Sequence, residues 1–346
     1  MTSQDATGLT EAVRVRALRF ALALAVVAAA WFALDAVIDS SVSRGYGQGL
    51  FGLGFLFLVP FAIGLVLGVA IQRIWPSTRG VRIGVAASGI FFVLSFLTGP
   101  GVICVVMAAP LWFPSLVLGS WASNWIVLRS PLLQVAAVAL VLVLACGVWS
   151  FEDTSRYPAQ EFTVERMVTI SAAPETVWPH LLRLDALSSQ EGIRTASHDI
   201  LGVPRPVEAI VSGEGVGAVR TGRWSGGVWF EEHIVAWSKE KRLDWVFVFP
   251  EGSTFASIDQ HIDPRGPNVV IRSGGYQLDE AANGSTRLRL YTTYSLNTAV
   301  NGYAERWAEL ILGDVQNNIL EIVRERAEAN SVTQGLVLAA ETGANE

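Results

Sequence analysis

The chain has 346 residues, 51% of them hydrophobic, and its 25 Lys and Arg stand against 31 Asp and Glu for a net charge of −6. That average hides two regions: up to Ser150 there are 8 Arg, no Lys and 4 acids, whereas from Phe151 onward 17 basic residues face 27 acids. The acidic second region excludes a nucleic-acid partner, which would need clustered Lys and Arg, and with both cysteines, Cys104 and Cys146, in the first region it has no disulfide framework and no Cys-based metal site.

Residues 1–16 read as an N-terminal tail and 17–150 as a transmembrane bundle. A helix needs roughly 20 apolar residues to cross the hydrocarbon layer. Ala17 to Ile38, Leu50 to Ile71, Ile83 to Leu97 and Pro131 to Trp149 are apolar runs on or near that scale. Val102 to Ile126 is also apolar but carries Pro110 and Pro114. It is therefore either a kinked span or a re-entrant segment. Its length favours the span, for about five helices. The first run, preceded by Arg14, Arg16 and Arg19, reads as a signal anchor because further spans follow it.

Arg73, Arg79 and Arg82 fall between the second and third runs, and Arg129 between the fourth and fifth. With the N-terminal arginines these alternate as the positive-inside rule requires if the N-terminus is cytoplasmic. Five spans then put the C-terminal region on the outer face of what is read as a plasma membrane; four would put it in the cytoplasm. Asp35 is expected at an interface, and Gly52, Gly54, Gly64 and Gly68 offer small residues for close helix contact. The bundle carries no pathway chemistry and reads as an anchor, with membrane lipids as its surroundings.

After a polar linker, 151–160, the pattern changes to period two. Phe162 to Ile170 alternates as a strand, and Ser171 opens a helix with Pro174 in its first turn. Six more strands are expected: Val207 to Val211, Val216 to Arg220, Val228 to Trp237, Leu243 to Phe249, Val269 to Leu278 and Thr286 to Ser295. Short links between them imply one bent antiparallel sheet. A long helix from Gly302 to Ala329 follows, with an apolar stripe of Ala304, Trp307, Ile311, Val315, Ile319 and Ile322. Residues 331–346 read as a flexible tail.

The order strand, helix, six strands, long helix comes with Val168-Thr-Ile-Ser-Ala-Ala-Pro-Glu-Thr-Val-Trp178, Gly215-Val-Gly-Ala-Val-Arg220, Glu231-Glu-His-Ile-Val-Ala-Trp237 and Tyr303-Ala-Glu-Arg-Trp307. In these residues the region 161–330 resembles the START-like helix-grip superfamily, in particular its polyketide cyclase/dehydrase and lipid transport family. The resemblance implies an α+β helix-grip domain, a bent antiparallel sheet around the C-terminal helix, with a cavity between them for an apolar small molecule or lipid. The whole chain is then a membrane α-helical bundle joined to that domain.

Gly213-x-Gly-x-Gly217 precedes a strand pattern, not a helix, so a hairpin explains it better than a phosphate loop. On the strand from Val228, alternation sets Glu232 with Phe230 and Ile234, and His233 with Glu231. Whichever face points inward, Glu232 or His233 is the weak candidate for an acid or base. No Ser-His-Asp set, metal cluster or nucleophilic Cys stands in this region, which weighs against an enzyme. No metal and no cofactor is expected. Candidate ligand-binding residues are Trp229, Phe230, Trp245, Phe247, Tyr276, Tyr294 and Trp307, with Arg220 as a polar anchor. Cyclase, dehydrase or hydrolase chemistry in the same cavity, or a closed interaction module, are the alternatives to ligand binding.

Overall fold

A computed structural model describes residues 52–75, 82–90, 102–152, 157–188, 190–251 and 268–343, and single positions 14, 15, 17, 18, 21, 25, 253, 264 and 266. It divides into two compact units, Met1–Tyr157 and Pro158–Glu346, and the division falls inside the expected linker. The run Ala17 to Ile38 lies almost wholly outside the described residues, as does the end of Ile83 to Leu97.

Three described helices of the first unit are long and apolar enough to cross a membrane: α1 (Gly54–Ile74, opening with a π turn), α2 (Val102–Val127) and the span Pro131–Trp149 within α3 (Pro131–Phe151). Both Pro110 and Pro114 sit inside α2, which continues through them as one helix. Glycines set the packing. A Cβ on Gly64 would overlap the Leu116 carbonyl, one on Gly68 would overlap Ser123, and one on Gly119 would overlap the Phe61 carbonyl. Small residues let the two backbones approach this closely.

Contacts at 64 with 116, 68 with 120 and 72 with 123 rise together, so α1 and α2 run parallel. The helical stretch 82–90 runs against them: Gly84 faces Ser120 and Gly89 faces Phe113. At one end Arg73 Nε donates to Gln134 Oε1 (2.9 Å), and Gln134 Nε2 donates to the Val127 carbonyl (2.9 Å). At the other, the Glu152 carboxylate accepts from the backbone N–H of Leu53 (2.7 Å) and of Gly54 (2.8 Å), capping α1 from the end of α3.

The second unit is an eight-stranded antiparallel sheet with a long helix across its concave face. Its strands are β1 (Gln160–Ile170), β2 (Arg183–Leu184), β3 (Pro206–Ser212), β4 (Val219–Trp224), β5 (Val228–Ser238), β6 (Arg242–Val248), β7 (Val269–Glu280) and β8 (Thr286–Leu296). Their order is β1-β8-β7-β6-β5-β4-β3-β2, a meander from β2 to β8 with β1 returned to the far edge. Register shifts at Pro206/Glu208, Ile234/Ala236 and Ile271/Ser273 add the bulges that bend it.

Helix α4 (Pro174–Leu182) begins with Pro174 in its first turn, as expected. β4 starts at Val219 rather than Val216, because Gly213, Gly215 and Gly217 all hold positive φ (+91°, +82° and +91°) and lengthen the turn. The long helix α6 runs Asn301–Gly343, continuing past the expected end near Ala329 into helix-favouring Gln, Leu, Ala and Glu residues. It buries Leu320, Ile322, Val323 and Ala327 with Ile170, Val177, Trp178, Trp245 and Tyr276 in one core. Ala304, Ala308 and Leu312 pack on Val164, Tyr294 and Leu296 in a second. This is the helix-grip architecture that the resemblance implies.

Candidate functional site

Between the sheet and α6 lies a cavity of about 190 Å³. Strand alternation decides what faces it. Val228, Phe230 and Glu232 point inward from β5, opposite Trp224, Gly222 and Arg220 of β4. Trp245 and Phe247 come from β6, Tyr276 from β7, Leu290 and Thr292 from β8. Ile311, Leu312, Val315, Gln316 and Ile319 close it from α6. The walls are mostly apolar, with Glu208, Arg220, Glu232, Thr292 and Gln316 as the polar exceptions.

Arg220 and Glu232, cross-strand partners each 4% exposed, form an ion pair through Arg220 Nη1 and Glu232 Oε2. The guanidinium also lies 5.9 Å from the Trp245 ring and 5.8 Å from that of Tyr276, within cation–π range. Burial pushes the Glu232 carboxyl above the usual range, and the adjacent Arg220 charge pulls part of that shift back. Burial likewise raises the Tyr276 phenol. Gln316 of α6 donates to the Val164 carbonyl (3.0 Å) and to Thr292 Oγ1 (3.0 Å), fixing the helix against β1 and β8.

The open choice between Glu232 and His233 is thus decided by geometry. Glu232 faces the cavity; His233 is on the outer face, its Nε2 2.8 Å from Glu231. Arg220, Phe230, Trp245, Phe247 and Tyr276 come together around the cavity. Trp229, Tyr294 and Trp307 do not line it. Trp229 neighbours Phe230 in sequence and so faces the other side of the sheet. Tyr294 is buried beyond the cavity, stacked on Phe162 (5.8 Å) under the start of α6. Trp307 sits on the flank of α6, edge-on to Tyr303 (6.5 Å). Thr292 and Gln316, both buried polar residues, are the lining groups that reasoning from aromatics overlooked. Among the described residues no three His, Cys, Asp or Glu are grouped to hold a metal.

One wall comes from the segment after β2, through Leu187, Val203 and Pro204. Polar groups of α6 hold this segment down. Asp314 accepts from the N–H (3.0 Å) and hydroxyl (2.7 Å) of Ser197, Asn318 from Ile193 N–H (3.0 Å), and Arg326 pairs with Glu191 (2.7 Å). Within it a short helix, α5 (Ala196–Asp199), is capped by Thr195, and the buried His198 donates from Nδ1 to the Val203 carbonyl (2.9 Å).

Burial lowers the pKa of His198, and burial with the Arg326 charge lowers that of His180. A depressed folded-state value means stability that is present above the unfolded value, about 6.5, and lost as pH falls through the folded one. The unfolding midpoint of the protein should therefore drop on acidification below about pH 6.5, and His198→Asn should flatten that limb. An unchanged slope in the variant would remove His198 from the account.

No family model matches the sequence, and no curated protein does. Solved structures similar to this chain include norcoclaurine synthase from Thalictrum flavum, at 11% identity over 51% of this chain and 88% of that one, with a TM-score of 0.31. The di-domain ARO/CYC protein BexL is 14% identical over 60% of each chain, with a TM-score of 0.32. Protein NE0264 from Nitrosomonas europaea is 15% identical over 50% of this chain and 96% of that one, with a TM-score of 0.29.

Proposed function

We propose that the second unit is a binding module for a small apolar molecule with one polar end, carried on a membrane anchor. The observation that supports this is an apolar cavity with a single buried ion pair, Arg220–Glu232, set in its wall. Apolar pockets with a few placed polar groups are the usual form of small-molecule sites. The volume narrows the class. About 190 Å³ is a little more than the ~150 Å³ of a cavity that admits benzene, so a ligand of one or two rings fits. A role for Glu232 as acid or base would have to free its carboxylate from Arg220; the binding reading uses the pair as it stands.

The test is extraction and mass spectrometry of small molecules from the intact protein purified in detergent. A compound of this class should accompany the native chain and be depleted in Val315→Trp, which fills the cavity from α6. Equal content in both proteins would overturn the reading.

On the membrane reading, the helix directions support an outer-face location for the module. Arg73 and Arg129 lie at the end where α1 and α2 finish and α3 begins. The end of α3 meets the start of α1 at the opposite side, through Glu152. With the arginine end cytoplasmic, the chain leaves the bilayer outward after α3. A reporter active only in the cytoplasm, fused after Glu346, should be silent; a signal would reverse the orientation.

A further inference from the structure

Residues 190–205 put Val203 and Pro204 into the cavity wall, yet of these sixteen positions only Ser197, His198 and Leu201 are buried. Ile193 and Ile200 are exposed. The segment gains little from apolar burial and is held chiefly by polar contacts with α6. These run through Ser197, Ile193 and Glu191, and through the Gly192 N–H, which Glu325 accepts at 3.3 Å. Segments with few buried apolar contacts open locally, at a fraction of the cost of global unfolding.

His198 ties the segment to its own wall residue. Its Nδ1 lies 2.9 Å from the Val203 carbonyl, which can only accept, so Nδ1 carries the proton of the neutral ring. Nε2 is then a bare lone pair, and among the described residues it is buried with no hydrogen-bond partner. A second proton would place a donor and a charge where nothing accepts them. The carboxylates that face the ring are occupied: Asp314 of α6 by the Ser197 N–H and hydroxyl, Asp199 of α5 by Arg194 and Arg205 (both 2.8 Å). Arg205 also faces the ring and opposes an added charge. The neighbouring His180, on α4, faces Arg326, the partner of Glu191.

We infer that residues 190–205 form a gate in the cavity wall, latched by neutral His198 and released by acid. This rests on the binding reading above and concerns how the site is emptied. Burial lowers the His198 value, so the closed gate holds fewer protons than the open one. Closure is fully favoured above about pH 6.5 and weakens as pH falls toward the depressed value. With an open-state value of ~6.5, the open population should rise about tenfold between about pH 7.5 and about pH 5.5.

The test is amide hydrogen exchange of the intact protein in detergent at these two pH values, corrected for the intrinsic pH dependence of exchange. His198→Asn keeps a donor for the Val203 carbonyl but takes up no proton; His180→Asn is the control. The amides of Ser197 and Val203 should be less protected than those of Leu288 and Leu290 in β8 at both pH values. Their protection should fall about tenfold on acidification in the native chain and in His180→Asn, but not in His198→Asn. Protection equal to that of β8 would show that the segment opens only with the whole fold. Unchanged protection, the same fall in His198→Asn, or its absence in His180→Asn would remove the latch. Each of these overturns the inference, and the first two are read from the native chain alone. Naphthalene, followed by its fluorescence after dilution, should leave the native chain about tenfold faster at the lower pH. Release at one rate while the segment opens would place the exit elsewhere and overturn the gate. Naphthalene that binds at neither pH would count against the binding reading alone, since the exchange data need no ligand.

Discussion

Arg220→Met should be among the most damaging single substitutions in the second unit, at about 3–5 kcal/mol. The loss of attraction is the smaller part. What remains is a carboxylate, 4% exposed among aromatic rings, with its counter-charge gone. The double variant Arg220→Met/Glu232→Leu, which removes both charges, should recover most of the stability. Unfolding midpoints of the intact proteins in detergent provide the comparison.

This substitution has a pH signature as well. Burial already raises Glu232, and without the guanidinium the carboxyl rises further. A raised folded-state value means stability that is present below the unfolded value and lost as pH rises through the folded one. The deficit of Arg220→Met relative to the native protein should therefore shrink toward about pH 5, near the ordinary Glu value of ~4.3, and widen toward about pH 8. A deficit that stays constant with pH would mean that the damage is steric.

Gly119→Leu should dismantle the first unit. Any Cβ at this position overlaps the Phe61 carbonyl and lies near the Leu65 amide, both backbone atoms of α1 that cannot turn aside. Overpacking costs about 1–3 kcal/mol where side chains can give way; here a helix must move, so the upper end is expected. Gly147→Ala is the control, with no heavy atom within 4 Å of the new methyl. Size-exclusion profiles after stepwise heating in detergent should show early aggregation for the first and native behaviour for the second. Equal behaviour of the two would show that the α1–α2 seam is not the source of the bundle's cohesion.

How far the site can be read in the sequence depends on which rule each residue obeys. The inward set of β5 is legible from period two, and parity alone joins Phe230 to Glu232. The same rule separates Trp229 from Phe230, so grouping both as ligand contacts puts residue type before geometry. Which parity faces inward is not local information: it depends on the pairing of β5 with β4 and on α6 lying over one side. Trp307 fits a three-or-four spacing from Ala304, yet the buried line continues through Ala308 and Leu312 and leaves it on the flank. The wall segment around Ser197 carries no pattern of period two or of three and four that places it. Its partners, Asp314, Asn318 and Arg326, lie more than a hundred positions downstream.

The parallel seam of α1 and α2 also sets an order of events during synthesis. Gln72 donates to Ser123 Oγ (2.5 Å), 51 positions later. At the ~5–20 residues per second of translation, α1 waits several seconds for that partner. The cap on its first turn, Glu152, arrives later still. Through that interval the Gln72 amide, in the last turn of α1, lacks the hydroxyl to which it donates in the finished unit. Closure of the first unit is for this reason a late and cooperative event, and a chain arrested before Val102 would lack both the Ser123 hydroxyl and the Glu152 cap.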